Sequence, residues 1–207
     1  MRLRRDPDSA LPQSASMIST ERFRIVVGDI AHLDFLADFG SQSFIDTYRE
    51  ALSLPDLEQY TAEAFARPRL LTELQDPSIH YLLCADQASS WCGYAKLLPS
   101  PPPDCIGGRS AIELQRLYVA PSHKGQGVGQ LLLAHAEATA SRQGFRTIWL
   151  RVWAGNRVAQ NLYLKAHYAL VGEEPYHVGE DARTVLLMRK PLPVDQAIGP
   201  RDSADPT

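Results

Sequence analysis

The sequence predicts an α/β domain in which strands and helices alternate. Three observations carry this expectation. Short β-rich runs alternate with longer stretches whose apolar residues recur at helical spacing. Turn-forming clusters separate them, such as Asp86-Gln87-Ala88-Ser89-Ser90 and the Pro/Gly-rich stretch 99–109, PSPPPDCIGGR. The segment LQRLYVAPSHKGQGVGQLLL, residues 114–133, reads as a strand, a glycine-rich turn and a helix that starts on that turn.

In chain order, a strand at Phe23–Val27 precedes helices over residues 30–51, 56–66 and 68–75. Strands at 79–85 and Trp91–Leu98 share the hairpin-like link 86–90. The stretch 99–109 is a loop, since its prolines and glycines suit neither a helix nor a strand interior. A strand at Ala111–Val119 follows, then the helix that opens at Val128, a strand at 147–152, a helix at 156–166, and strands at 168–172 and 183–189. No internal repeat is visible. The folded domain is expected over residues 20–191, between flexible tails at 1–19 and 192–207 that are polar and proline-containing. Met17 offers an alternative start.

A chain of 207 residues that is 44% hydrophobic has enough apolar material for a full core. It contains no apolar run of membrane-spanning length. Its start, MRLRRDPDSALPQSASM, carries arginines without the apolar stretch of a secretory signal. Cys84, Cys92 and Cys105 are odd in number and form no CxxC pair, which fits free thiols in a reducing, cytoplasmic compartment. The six histidines show no HExxH spacing, and no metal is expected. His135 is assigned to the apolar face of the helix that begins at Val128, as a packed residue. A net charge of −3, a pI of about 6.1 and the lack of a recognition motif argue against nucleic acid as a partner. Nothing supports a membrane role.

The glycine-rich turn points to a phosphate ligand. Gly125, Gly127 and Gly129 alternate with Gln126 and Val128, and glycine lets a ligand approach the main chain. The turn opens a helix, whose first N–H groups and positive dipole end favour an anion. A dinucleotide fingerprint would need glycine where Gln130 stands, and the Gly-Lys-Ser/Thr of a nucleotide-triphosphate loop is absent. Both of those motifs also open a first strand–helix unit, whereas this turn comes past the middle of the chain.

The run LYVAPSHKGQGVGQLLL closely resembles the acyl-CoA-binding signature of the GCN5-related N-acetyltransferase (GNAT) superfamily, Gln/Arg-x-x-Gly-x-Gly/Ala after a strand. Lys124, Gly125, Gln126, Gly127, Val128 and Gly129 occupy its positions, with lysine in place of the usual Arg or Gln. The segment NRVAQNLYLKAHYALVGE is similar to the family's second pattern through Asn156, Ala159, Leu162, Tyr163 and Lys165. It departs with His167 for glycine and Tyr168 for phenylalanine, and histidine is among the better substitutes at a left-handed turn. Residues 43–49 (SFIDTYR), residues 57–60 and Gly93-Tyr94 look like the family's acceptor half, so the resemblance covers residues 22–191.

This resemblance implies a mixed, mostly antiparallel sheet flanked by helices and split at the cofactor site. It implies acetyl-CoA as co-substrate, held by Leu117, Tyr118, Val119, the turn Lys124 to Gly129, Asn156, Tyr163 and Lys165. Acetyl would pass directly to a primary amine. The Val119 N–H is the candidate oxyanion donor. Tyr163 is the candidate general acid for the thiolate, or only positions the sulfur. Glu113 either looks into the cleft as a base, since alternation places it with Gln115, Leu117 and Val119 on one face, or is a surface carboxylate. Tyr48 either shapes the acceptor pocket or packs in the core. Asn156 either binds the pantetheine arm or caps the next helix.

Residues 29–76 hold ten acidic and three basic side chains, whereas residues 116–165 hold seven Lys/Arg and one Glu. A basic cofactor half and an acidic acceptor half would suit CoA and a cationic amine, although solvated helix faces would show the same counts. The ending YHVGEDARTVLLMRKPL resembles polyamine-type members. The acceptor is therefore expected to be a small-molecule or peptide amine, with a small cationic amine or polyamine foremost. A protein N-terminal or lysyl acetyltransferase, and a non-catalytic acyl-CoA-binding sensor, are the alternatives. Homodimers are common among the proteins it resembles.

Overall fold

Seven strands form one sheet in the order β1-β2-β3-β4-β5-β7-β6. The structure is a computed structural model, and it describes residues 22–107, 110–179 and 181–193. The strands are β1 (Phe23–Val27), β2 (His80–Asp86), β3 (Trp91–Leu98), β4 (Ala111–Val119), β5 (Thr147–Trp153), β6 (Ala169–Val178) and β7 (Asp181–Pro191). All neighbours pair antiparallel except β4 and β5. The helices are α1 (Leu33–Tyr48), α2 (Leu54–Ala64), α3 (Arg67–Gln75), α4 (Val128–Arg142) and α5 (Arg157–Lys165). This is the mixed, mostly antiparallel sheet flanked by helices that the sequence led us to expect.

Each face of the sheet has its own cover. On one, Val128, Leu132, Leu133, Ala136 and Ala140 of α4 bury against Ile112, Leu114, Ile148 and Leu150. That stripe leaves His135 exposed, which corrects the expectation of a packed histidine. On the other face, Leu36 of α1 and Leu70 of α3 pack on Tyr81, Leu83 and Tyr94. The Pro/Gly-rich loop covers the rest of that face. Its Ile106 is fully buried against Trp149 and Leu187, and Arg189 donates to the Ile106 carbonyl.

Three differences from the sequence reading have physical causes. β6 and β7 run well past the expected 168–172 and 183–189 because they form a long hairpin at the sheet's edge. Pro175 is tolerated there because an edge strand has one side without ladder bonds. Packing also outlasts the expected domain end at 191: Leu192 is buried and its N–H donates to the Arg146 carbonyl at 2.9 Å. The expected tails at 1–19 and from 194 onward lie outside the described residues.

The third difference lies in β4. Lys96 pairs with Arg116 and the next residue, Leu97, pairs with Leu114, so Gln115 is left over as a bulge. Strict alternation therefore fails. Leu117 and Val119 pack with α4, while Tyr118 packs toward α1 and α2. Glu113 consequently shares the face of Arg116 and Tyr118, not that of Leu117 and Val119 as the unbroken period predicts.

Candidate active site

The parallel ladder between β4 and β5 stops early. Its last pair is Glu113 with Trp149, yet β4 continues to Val119 and β5 to Trp153. The two strands fork, leaving main-chain groups on facing edges without a ladder. The Ala120 N–H donates to the Cys92 carbonyl of β3 at 2.8 Å. Alternation then turns the Val119 N–H the other way, toward the open edge. Gly93 permits this close pairing, since a Cβ there would meet the Tyr118 carbonyl at 2.5 Å.

An ion-pair chain pins the closed end of the fork. Arg151 of β5 bonds Glu113 at 2.8 Å and Glu174 of β6 at 2.6 Å, and its guanidinium lies 4.6 Å from the Trp149 ring. The Ser100 hydroxyl donates to the other Glu113 oxygen at 2.6 Å. Both oxygens of Glu113 are thus engaged, and it is buried.

The glycine-rich turn lies at the mouth of the fork. Gly125 and Gly127 have φ of +75° and +89°, which explains glycine at both. Gly127 is the N-cap of α4 and supplies no side-chain cap, so the first-turn amides from Val128 onward have no intrahelical partner. Gln126 folds back on the turn through the Ser122 carbonyl at 2.8 Å. A Cβ on Gly129 would sit 3.4 Å from Leu162, 3.8 Å from Val119 and 3.9 Å from Leu117, so α4 lies close to β4 and α5 at this point. Lys124 is exposed on the rim. Uncapped amides, a glycine-rich turn and an adjacent fork fit a diphosphate with a chain leading away from it.

Helix α5 forms another wall. The Asn156 side chain accepts from the Ala159 N–H at 3.1 Å, which makes the capping role the one observed. Tyr163 is buried, its ring centroid 5.6 Å from that of Tyr168. Burial, and then the neighbouring Tyr48, raise the Tyr163 hydroxyl above its ordinary value. Lys165 is exposed at the end of the helix. His167 takes the left-handed turn at φ +67° in place of glycine.

Aromatic side chains gather on the α1–α2 side. Tyr48 lies 4.6 Å from Phe44 and 5.8 Å from Trp153, and burial pushes its hydroxyl up to about 12. Tyr60 stacks on Phe44 at 4.1 Å, and burial, with Tyr60 beside it, raises the Tyr176 hydroxyl of β6 above its ordinary value. Sequence reasoning named Tyr48 as a pocket candidate and placed Phe44 and Tyr60 in segments resembling the acceptor half, but missed Trp153 and Tyr176. It also missed Gln160, whose buried amide donates to the Trp153 and Ala154 carbonyls at 3.2 and 2.8 Å and fixes the turn after β5. None of these missed residues sits in a local motif; they meet only through the fold.

The structure thus brings Leu117, Val119, Gly129 and Leu162 together at the fork. Glu113 stands at its closed end. A groove of about 460 Å³ between α1 and α2–α3, lined by Asp38, Ser41, Gln42, Thr61, Phe65 and Arg67 among others, includes no expected site residue. Much of the acidic half is committed elsewhere. Arg67 takes Asp34 and Asp38 at 2.8 and 3.0 Å, and Glu73 takes Lys96 at 2.7 Å.

Known proteins share this fold. The sequence profile described as "Acetyltransferase (GNAT) family" matches residues 42–168. An uncharacterized N-acetyltransferase of Lactobacillus delbrueckii subsp. lactis is 26% identical over 160 residues, 77% of this chain and 91% of that protein. The PaiA N-acetyltransferase of Thermoplasma acidophilum, solved in complex with coenzyme A, shares the fold with a TM-score of 0.64 at 22% identity, over 82% of this chain and 98% of that one. A spermidine N-acetyltransferase of Vibrio cholerae, solved with CoA and spermine, gives 0.63 at 17% identity, over 82% and 95%. Fork, glycine-rich helix start and profile agree: the chain is an acetyltransferase of the GNAT family.

Proposed function

We propose that this enzyme transfers the acetyl group of acetyl-CoA directly to a small primary amine. The observation that carries the reading is the uncapped, glycine-rich start of α4 at the mouth of the β4–β5 fork. The amides from Gly125 through the first turn of α4 hold the diphosphate, and the pantetheine arm lies along the open edge of β4. The Val119 N–H receives the oxygen charge that develops as the amine attacks the thioester carbonyl. Tyr163 donates a hydrogen bond to the sulfur. Burial keeps its proton on, so it steadies the departing thiolate rather than surrendering a proton early.

Glu113 acts as the pin of the fork, because a base would have to release both Arg151 and Ser100. The acceptor then loses its proton to solvent water, and the rate rises with pH toward the amine's own pKa. The aromatic walls Tyr48, Tyr60, Trp153 and Tyr176 suit an amine, which arrives as a cation. A polyamine acceptor draws support from the acidic balance of residues 29–76 and from the spermidine-acetylating fold relative. The ion pairs of Asp34, Asp38 and Glu73 weaken the first of these supports.

Incubation with acetyl-CoA and a panel of amines, followed by free thiol, tests the reading. Thiol release that depends on an amine is the expected result. Tight CoA binding with no thiol release across monoamines, diamines, amino acids and peptides would replace it with the acyl-CoA-sensor reading.

A further inference from the structure

Arg116 is a buried cation without a counterion. It is 6% exposed, and its Nη1 has no hydrogen-bond partner. Nη2 reaches only as far as the Ala64 carbonyl, at 3.3 Å. The guanidinium lies 4.2 Å from the centre of the Phe65 ring, and the Tyr94 hydroxyl is its polar neighbour. The residue opposite Arg116 in β3 is Lys96, also fully buried. Like charges facing each other across a ladder destabilise a sheet. Two buried carboxylates lie on this face: Glu113 is taken by Arg151 and Ser100, and Glu73 by Lys96 at 2.7 Å, Arg69 at 3.2 Å and the Tyr81 hydroxyl at 2.5 Å. Among the described residues, no ion pair reaches Arg116. Burial, and then the Arg116 charge, draw the Lys96 ammonium down to about 8, as expected where two buried cations lie side by side.

We propose that Arg116 binds a carboxylate carried by the amine acceptor, so that the substrate is an amino acid or a similar amino-carboxylate rather than a polyamine. The inference rests on the acetyl-transfer reading and narrows it. Arg116 stands three residues before Val119 on β4. Its side chain lies on the α1–α2 side of the sheet, under the aromatic walls. A carboxylate supplies one negative charge and two acceptor oxygens, which match one uncompensated positive charge and an empty guanidinium edge. A phosphate dianion would overfill the site. Buried cations are kept where they are paired, and among the described residues no carboxylate pairs with this one.

The test compares ω-amino acids of increasing length and α-amino acids with their own carboxamides and with diamines of equal length, by thiol release. In the wild-type enzyme the acid should exceed its carboxamide in kcat/KM by about 10- to 100-fold, the range for hydrogen bonds to a charged group. Arg116→Lys should keep part of that preference, and Arg116→Gln should abolish it with CoA affinity intact by calorimetry. Carboxamides as good as acids, or diamines best of all, would overturn the proposal, and the wild-type comparison decides even if Arg116→Gln fails to fold. If no amine is acetylated, calorimetry of the CoA complex with N-acetylated amino acids and their carboxamides separates the two claims. Selective binding of the acid keeps the Arg116 site and removes the transfer reading; equal binding overturns both.

Discussion

Tyr163 keeps its proton because ionising it would place a charge in a dry pocket. In the proposed transfer its contribution is that of one hydrogen bond to a developing anion. Tyr163→Phe should lower kcat by about 10- to 100-fold with little change in KM for acetyl-CoA, read from steady-state kinetics. Glu113→Gln keeps the shape of the pin and removes its charge. It should lower the melting temperature while kcat falls less than about 10-fold, whereas a base would cost at least about 100-fold. Gly127→Glu puts a Cβ at φ +89° and a negative charge beside the expected diphosphate. CoA binding by calorimetry should vanish while the circular dichroism spectrum stays folded. The left-handed turn at Gly125 and Gly127 was legible in the sequence because the glycines belong to a short pattern with a local cause. Arg116, Trp153 and Gln160 were not, because the partners that give them meaning lie on other elements.

Elements with two buried faces or a clear apolar stripe were read almost to the residue, as β3 and β4 show. β6 was not. Its sequence GEEPYH lacks alternation because the strand sits at the sheet's edge, where little burial constrains it. The stretch 99–109 gave no sign of a structural role, yet Ile106 plugs the face left bare beside α1–α3. Ile106→Ala should lower unfolding free energy by about 2–5 kcal/mol in a denaturant titration. CoA affinity should persist, since Ile106 touches neither the turn nor α5.

At the scale of the molecule, tyrosines dominate the response to alkali. Tyr48, Tyr81, Tyr94, Tyr118, Tyr163, Tyr168 and Tyr176 are all raised above their ordinary value, chiefly by burial. The unfolded chain begins to release these protons near pH 10, while the folded chain holds them. The stability they represent is thus complete below that pH and is lost as pH climbs above it, by about 1.4 kcal/mol per pH unit for each buried tyrosine and by less for Tyr176, which is 39% exposed and screened by solvent. Unfolding followed by circular dichroism should coincide with a single cooperative rise in tyrosinate absorbance. A gradual rise in absorbance ahead of unfolding would show the phenols to be accessible in the native state.

The surplus residue Gln115 has an effect beyond its own strand. It bends β4 just past the last bond to β5, so it wedges the two strands apart while presenting Arg116 inward. A chain shortened by that residue would keep its inward guanidinium yet run straight. The β4–β5 ladder could then run on past Glu113 and Trp149, closing the fork that the proposed thioester site needs.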